Sequence, residues 1–265
     1  MAVTHNPQPI PAEPPACATV VPVAEPAPVR VLPEGYRATR PVYVWTYPLR
    51  LVHWGMVLAL LALGFTGYYI HNPFIIGQSN RPFLMGWFRF AHEVAGMLLI
   101  AVFLLRVYLL FGGNRWMSWR VFVPSRREHF AEMREMAKFY LFLRPEPVSR
   151  ISHNKLAAFS YFGIYGLVFL QIVTGLTLYD WLRHSPLLHP LFGWIPGVIS
   201  LPYLRLIHFF VMFLLLCFAI LHVHISMLIS RQEKKGLLDS IFTGYKIIPA
   251  EEIEEDERRF RENRA

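Results

Sequence analysis

Four apolar blocks, Leu51–Ile70, His92–Phe111, Leu156–Tyr179 and Tyr203–Ile229, constrain this chain more than any other feature. Each is long enough to cross a ~30 Å hydrocarbon layer as a helix. Lipid offers no partner to backbone N–H and C=O groups, so a run of this length closes its own hydrogen bonds as a helix. A barrel strand would need only about ten residues and would alternate in polarity. The chain has 265 residues and is 54 % hydrophobic, more apolar than an ordinary soluble domain. The expected fold is therefore an all-α integral membrane protein, a bundle of four transmembrane helices.

A formal net charge of +8 invites a nucleic-acid reading, but its distribution argues otherwise. Arg115, Arg120, Arg126, Arg127, Arg134, Lys138, Arg144 and Arg150 all lie between the second and third blocks. Arg30, Arg37 and Arg40 precede the first block, and Arg231, Lys234 and Lys235 follow the fourth. The two opposite loops carry few basic residues: Arg81 and Arg89, then Arg183 and Arg205. The positive-inside rule places both termini and the long middle loop in the cytoplasm. The basic excess is then topology information, and no nucleic-acid partner is expected.

Residues 1–40 are dense in proline, which favours an extended, solvated cytoplasmic tail. No uninterrupted apolar stretch follows the start, so no signal peptide is expected. Residues 41–249 form the membrane domain, and 250–265 a charged tail or short surface helix. In the middle loop, Phe130, Met133, Ala137, Tyr140 and Leu141 recur near helical spacing. They predict an amphipathic helix lying on the membrane, on a partner, or on this protein itself. The loop Asp180–Pro202 carries Leu191, Phe192, Trp194 and Ile195, as an interfacial segment or docking surface does.

His208 and His222 stand fourteen residues apart in the fourth block. That is close to four turns, so both imidazoles share a face, roughly 21 Å apart along the axis. Histidines inside a membrane are costly and keep partners. The topology supplies one for each. Helix one runs outward, putting His53 near the inner face; helix two runs inward, putting His92 near the outer face. By depth the pairs are His92 with His208 and His53 with His222. Two stacked haems are the expected occupants. The cysteines, Cys17 and Cys217, form no C-x-x-C or C-x-x-C-H motif. Iron–sulfur, zinc and c-type attachment are excluded, and any haem is b-type, held by these four axial ligands. His224 lies about 160° from His208, on the opposite face. A non-redox transporter or passive anchor would keep the helices but need no depth-matched histidines.

An Arg-x-x-His echo recurs at Arg50/His53, Arg89/His92, Arg150/His153 and Arg205/His208. Residues at i and i+3 share a helix face. Arg50, Arg89 and Arg205 are expected to meet haem propionates, although such arginines also snorkel to lipid phosphate. Gly64, Gly67, Gly96, Gly163 and Gly166 allow close approach of helices or of a flat macrocycle.

From about Pro41 to Pro249 the chain resembles the b-type cytochrome subunit of membrane-bound nickel–iron hydrogenases. That group sits in a wider superfamily with the formate dehydrogenase gamma and bacterial cytochrome b561-like subunits. The resemblance rests on Arg50 to His53-Trp54, Thr66-Gly67-Tyr68-Tyr69-Ile70, Leu84-Met85-Gly86-Trp87, Arg89 to His92, His153-Asn154, Phe192-Gly193-Trp194, and His208 with Phe218 and His222. Gly55, Phe209, Phe213 and the segment Ser230–Lys235 depart from the family pattern. The resemblance implies an electron-transfer subunit with two haem b groups in the bacterial inner membrane. Its partners would be the hydrogenase iron–sulfur small subunit and nickel–iron large subunit, membrane lipid, and menaquinone or ubiquinone. Homo-oligomers of the whole complex are compatible with it. Electrons moving inward oppose a potential negative inside, at about 2.3 kcal/mol per 100 mV. His153 and Asn154 are candidates for hydrogen bonds to the quinone, with capping of the third helix as the alternative role. The cytochrome b of a formate dehydrogenase or thiosulfate reductase, and a b561-type reductase, are the neighbouring alternatives.

Overall fold

The computed structural model describes residues 38–74, 83–113, 116, 118–124, 126–148, 151 and 154–262. The expected tail up to residue 37 lies outside the described residues, as do Arg81, Arg115, Arg150 and His153.

Among the described residues, four helices are long and apolar enough to cross a membrane: α1 (Tyr47–His71), α2 (Leu84–Gly112), α5 (Lys155–Arg183) and α8 (Leu201–Glu233). Each is longer than its apolar block in the sequence. α2 begins eight residues before His92, and α8 runs four residues past Ile229. The turns added to α1, α5 and α8 carry Arg50, Lys155, Asp180, Arg183 and Arg231, whereas α2 adds a mostly apolar stretch, residues 84–91, interrupted by Arg89. Pro48 and Pro202 sit in the first turns of α1 and α8, where a missing N–H costs nothing. Asn154 opens α5, its side chain accepting from the Ala157 N–H at 2.8 Å. In the most apolar stretches only 28 % of residues are buried in α1 and α2, 17 % in α8 and 11 % in α5. The remaining surface is apolar and matches lipid, not water.

α1 packs chiefly on α2, and α5 on α8. Gly55 explains its departure from the family pattern. A Cβ there would lie 2.8 Å from Val102 Cγ1, so the α1–α2 approach needs glycine. The four helices meet in a buried cluster of Ala59, Leu99, Val102, Val168, Val211 and Leu215.

The remaining elements gather at the ends. At the end expected to face the cytoplasm, β1 (Thr39–Tyr43) pairs antiparallel with β2 (Tyr245–Pro249). This two-stranded ribbon is an addition to the all-helical expectation. Val44 and Ile248 are fully buried and join Leu49, Val52, Leu109 and Ile151 in a second cluster. α3 (Trp119–Phe122), α9 (Leu237–Thr243) and α10 (Ala250–Glu262) complete this side with α4 (Arg127–Tyr140). α4 packs on the protein itself through Glu132, Met136 and Phe139, against Ile229 and Leu156. The buried face is rotated from the expected stripe, leaving Phe130 and Leu141 exposed. At the opposite end, α6 (His189–Phe192) and α7 (Ile195–Val198) shape the last loop. The carboxylate of Asp180, 2 % exposed, accepts from the Ser185 N–H at 3.1 Å and meets His189 Nδ1 at 2.9 Å. Leu187, Leu191, Trp194 and Val198 face outward from this loop.

Candidate functional site

The four helices bring their polar side chains together at two levels. On the level nearer α6 and α7, called outer after the expected topology, are His92 (α2), His208 (α8), Thr66 (α1) and Thr174 (α5). On the inner level are His53 (α1), His222 (α8), Arg106 (α2) and Tyr161 with Tyr165 (α5). The intervals from one level to the other are thirteen or fourteen residues: 53 to 66, 92 to 106, 208 to 222 and 161 to 174. Fourteen residues, on α2 and α8, is close to four turns and returns the side chain to within about 40° of the same helix face; thirteen, on α1 and α5, is about 3.6 turns and turns it by about 140° on the way to the other level. The buried apolar cluster around Ala59, Leu99, Val168 and Val211 lies between the levels.

The ring centroids of His92 and His208 are 6.4 Å apart, and those of His53 and His222 are also 6.4 Å apart. These are the two pairs expected from depth. Both face a cavity of about 1220 Å³. That exceeds the ~300–1,000 Å³ of a usual small-ligand site. Two metal–imidazole bonds of about 2 Å, with each ring reaching ~1 Å further to its centre, span about 6 Å. The ring separations therefore suit one metal atom between each pair.

The hydrogen bonds of the outer level fix the tautomers. Thr66 donates its hydroxyl hydrogen to the Ala62 carbonyl at 2.7 Å, so toward His92 Nδ1, at 2.8 Å, it only accepts. Thr174 does the same, donating to the Leu170 carbonyl at 2.8 Å and accepting from His208 Nδ1 at 2.8 Å. Both imidazoles are then Nδ1–H tautomers with a lone pair on Nε2, the form that ligates a metal. The Gln171 amide lies 3.2 Å from His208 Nε2 and supplies an N–H where a metal would stand. A glycine follows each threonine. A Cβ on Gly67 would lie 3.1 Å from His92 Cε1, and one on Gly175 3.1 Å from His208 Cε1. Each Thr-Gly pair thus holds a histidine twice, by accepting a hydrogen bond from its Nδ1–H and by leaving space for its ring. On the inner level, Tyr161 Oη lies 3.2 Å from His222 Nδ1, while His53 Nδ1 is buried without a partner. The donor chemistry, ring spacing and glycine cradles fit a bis-imidazole group at the outer level, and the ring spacing fits one at the inner level.

The arginines divide. Arg89 and Arg205 line the cavity. Arg50 does not; its guanidinium donates to the Phe242 carbonyl at the end of α9. Asn154 lines the inner end of the cavity, and its Oδ1 is engaged as the cap of α5. Its amide also bonds Tyr140, opposing the upward push that burial gives the phenol's pKa. Lys246 lies there too, with its Nζ 3.1 Å from the Ile151 carbonyl. Burial lowers its ammonium pKa to about 8, against the upward pull of Glu233. His224 is exposed and does not line the cavity. At the outer end Phe209, one of the departures from the family pattern, stacks on His71 at 3.8 Å.

Thr174, Tyr161, Tyr165 and Arg106 were not singled out in the sequence, and Thr66 only as part of a motif shared with the family. A signal existed for three of them: the dipeptide Thr-Gly occurs in two different apolar blocks, and Arg106 interrupts a third.

Residues 44–244 match the family model described as prokaryotic cytochrome b561. A probable Ni/Fe-hydrogenase B-type cytochrome subunit of Rhodobacter capsulatus is 32 % identical over 230 residues, covering 83 % of this chain and 87 % of the relative. The protein of the same name from Azotobacter vinelandii is 35 % identical over 222 residues, 81 % of this chain and 92 % of the relative. A probable Ni/Fe-hydrogenase 1 B-type cytochrome subunit of Escherichia coli K12 is 36 % identical over 146 residues, covering 54 % and 61 %.

Proposed function

The chain belongs to the prokaryotic cytochrome b561 family, and from that premise we propose that it is a dihaem membrane subunit passing electrons from a nickel–iron hydrogenase to quinone. The observation that carries this reading is the pair of facing histidine couples, each at 6.4 Å, in one cavity spanning two levels.

His92 and His208 hold the outer haem b, and His53 and His222 the inner one. When bound, the haems supply one-electron transfer, and two imidazoles per iron leave no open position for oxygen chemistry. Thr66 and Thr174 keep the Nδ1 protons in place, which raises the basicity of the ligating nitrogens. Arg89 and Arg205 present positive charge to propionates at the outer end. The outer loop from Asp180 to Pro202, with Leu191 and Trp194 exposed, lies on the face where the iron–sulfur small subunit docks. Menaquinone or ubiquinone is reduced at the inner end beside Asn154, with His153 the second hydrogen-bonding candidate from the sequence, taking up cytoplasmic protons. Both termini lie in the cytoplasm, and the membrane is the bacterial inner membrane.

Deleting the chain from its host tests this assignment. Hydrogen-dependent reduction of a soluble dye by the hydrogenase should persist, while hydrogen-dependent reduction of membrane quinone should be lost. Quinone reduction at the parental rate without the chain would overturn the assignment.

A finer result is expected at the outer level. Thr66→Val and Thr174→Val leave an Nδ1–H without its acceptor and make the ligand less basic. Each should raise the midpoint potential of one b-type component, measured by spectroscopic redox titration, and leave the other in place.

A further inference from the structure

Arg106 lies inside the apolar run of α2, is 5 % exposed, and lines the cavity on the inner level. A guanidinium stays protonated at any physiological pH. Its Nε donates to Tyr165 Oη at 2.8 Å. Its central carbon lies 5.2 Å from the Tyr165 ring centre and 5.3 Å from that of Phe122. Its Nη1 is buried and has no partner. Among the described residues, no carboxylate pairs with it. A full positive charge is thus held in apolar surroundings by one neutral hydrogen bond and two ring faces. Ring faces offset only part of the cost of burying a charge, and the full offset comes from an anion.

The position says which anion. Arg106 stands fourteen residues from His92 on α2, the interval that also separates His208 from His222 on α8. It therefore shares the level of the inner histidines. Tyr165 follows Tyr161 by one turn of α5, and Tyr161 holds His222. The inner histidine and Arg106 are thus fastened to the same stretch of one helix. Arg50, which the Arg-x-x-His spacing assigned to this level, donates from Nη1 to the Phe242 carbonyl and does not line the cavity.

We propose that Arg106, steadied by Tyr165, is the seat for a carboxylate of the group clasped by His53 and His222. The assignment rests on the haem reading above. A haem carries two carboxylates as propionates, and the planar guanidinium fork matches a carboxylate with two parallel hydrogen bonds. The carbonyl of a quinone offers only a dipole and would leave the charge uncompensated.

The test uses the complete membrane complex, wild type and with Arg106→Gln, Arg106→Lys or Tyr165→Phe. Spectroscopic redox titration resolves the two b-type components, and the inner one is identified as the component lost in His222→Ala. Arg106→Gln should lower the midpoint potential of the inner component, because a carboxylate left without its cation disfavours the added electron. Arg106→Lys should restore part of the shift, and Tyr165→Phe should give a smaller shift of the same sign. The outer component should not move. If Arg106→Gln does not accumulate, the other two variants carry the test. Unchanged potentials for both components in every variant that accumulates would overturn the proposal. Weaker binding of a quinone analogue with unchanged potentials would overturn it in favour of a quinone contact. A wild-type complex lacking two b-type components would instead overturn the haem reading itself.

Discussion

Replacing His208 with alanine should remove one of the two proposed b-type spectral components and leave the other with its own potential. The helices make this separation possible. His208 and His222 share α8 but belong to different levels, fourteen residues apart, with the buried cluster of Ala59, Leu99, Val102, Val168, Val211 and Leu215 between them. Removing the His208 imidazole would deprive the proposed outer haem of one of its two ligands, while His92 would remain held by Thr66. The inner couple of His53 and His222 touches none of these groups. Pigment per polypeptide should fall to roughly half. His222→Ala should remove the complementary component. Loss of both components from either variant, in protein that still accumulates in the membrane, would mean that the two levels are not independent.

The second large effect comes from a residue that ligates nothing. Gly175→Leu should abolish the outer component as completely as loss of a ligand. A Cβ at this position lies 3.1 Å from His208 Cε1, and a leucine adds three more carbons in the same direction. The ring must tilt away from its bond to Thr174, or α5 must move off α8. Overpacking of this kind costs roughly 1–3 kcal/mol, enough to displace a ligand whose bond needs fixed geometry. Gly67→Leu should act in the same way on His92. By contrast, a Cβ on Gly163 or Gly166 meets nothing within 4 Å, so alanine there should leave both components intact. Optical spectra of the membranes for the four variants check the pattern. An intact outer component in Gly175→Leu would show that His208 is not held where the structure has it.

Much of this was legible before any coordinates. Membrane helices announce themselves by length, because lipid forces the backbone to satisfy itself. The bias of Arg and Lys toward one side orients the chain, and orientation converts sequence position into depth. Depth then brings His92 toward His208 and His53 toward His222, an inference that needs no detail of packing. The rest depends on contacts between segments far apart in sequence. β1 and β2 are five residues each and pair across about two hundred residues, with no periodicity strong enough to declare them. Arg50 follows the same spacing as Arg89 and Arg205, yet α9 brings the Phe242 carbonyl to its guanidinium. The amphipathic stripe of α4 is rotated for a similar reason. The packing surface is chosen by Ile229 and Leu156, which α4 meets only after folding. Thr66 and Thr174 look like ordinary small polar residues of membrane helices until each is seen against a histidine on another helix.

The central claim is that two iron porphyrins are held at two depths by four imidazoles of a single chain. The most direct measurement is the ratio of haem b to polypeptide in the purified complex, by extraction of the haem and quantitative amino-acid analysis. The account predicts two haems per chain; a ratio of one, or of none, would contradict it.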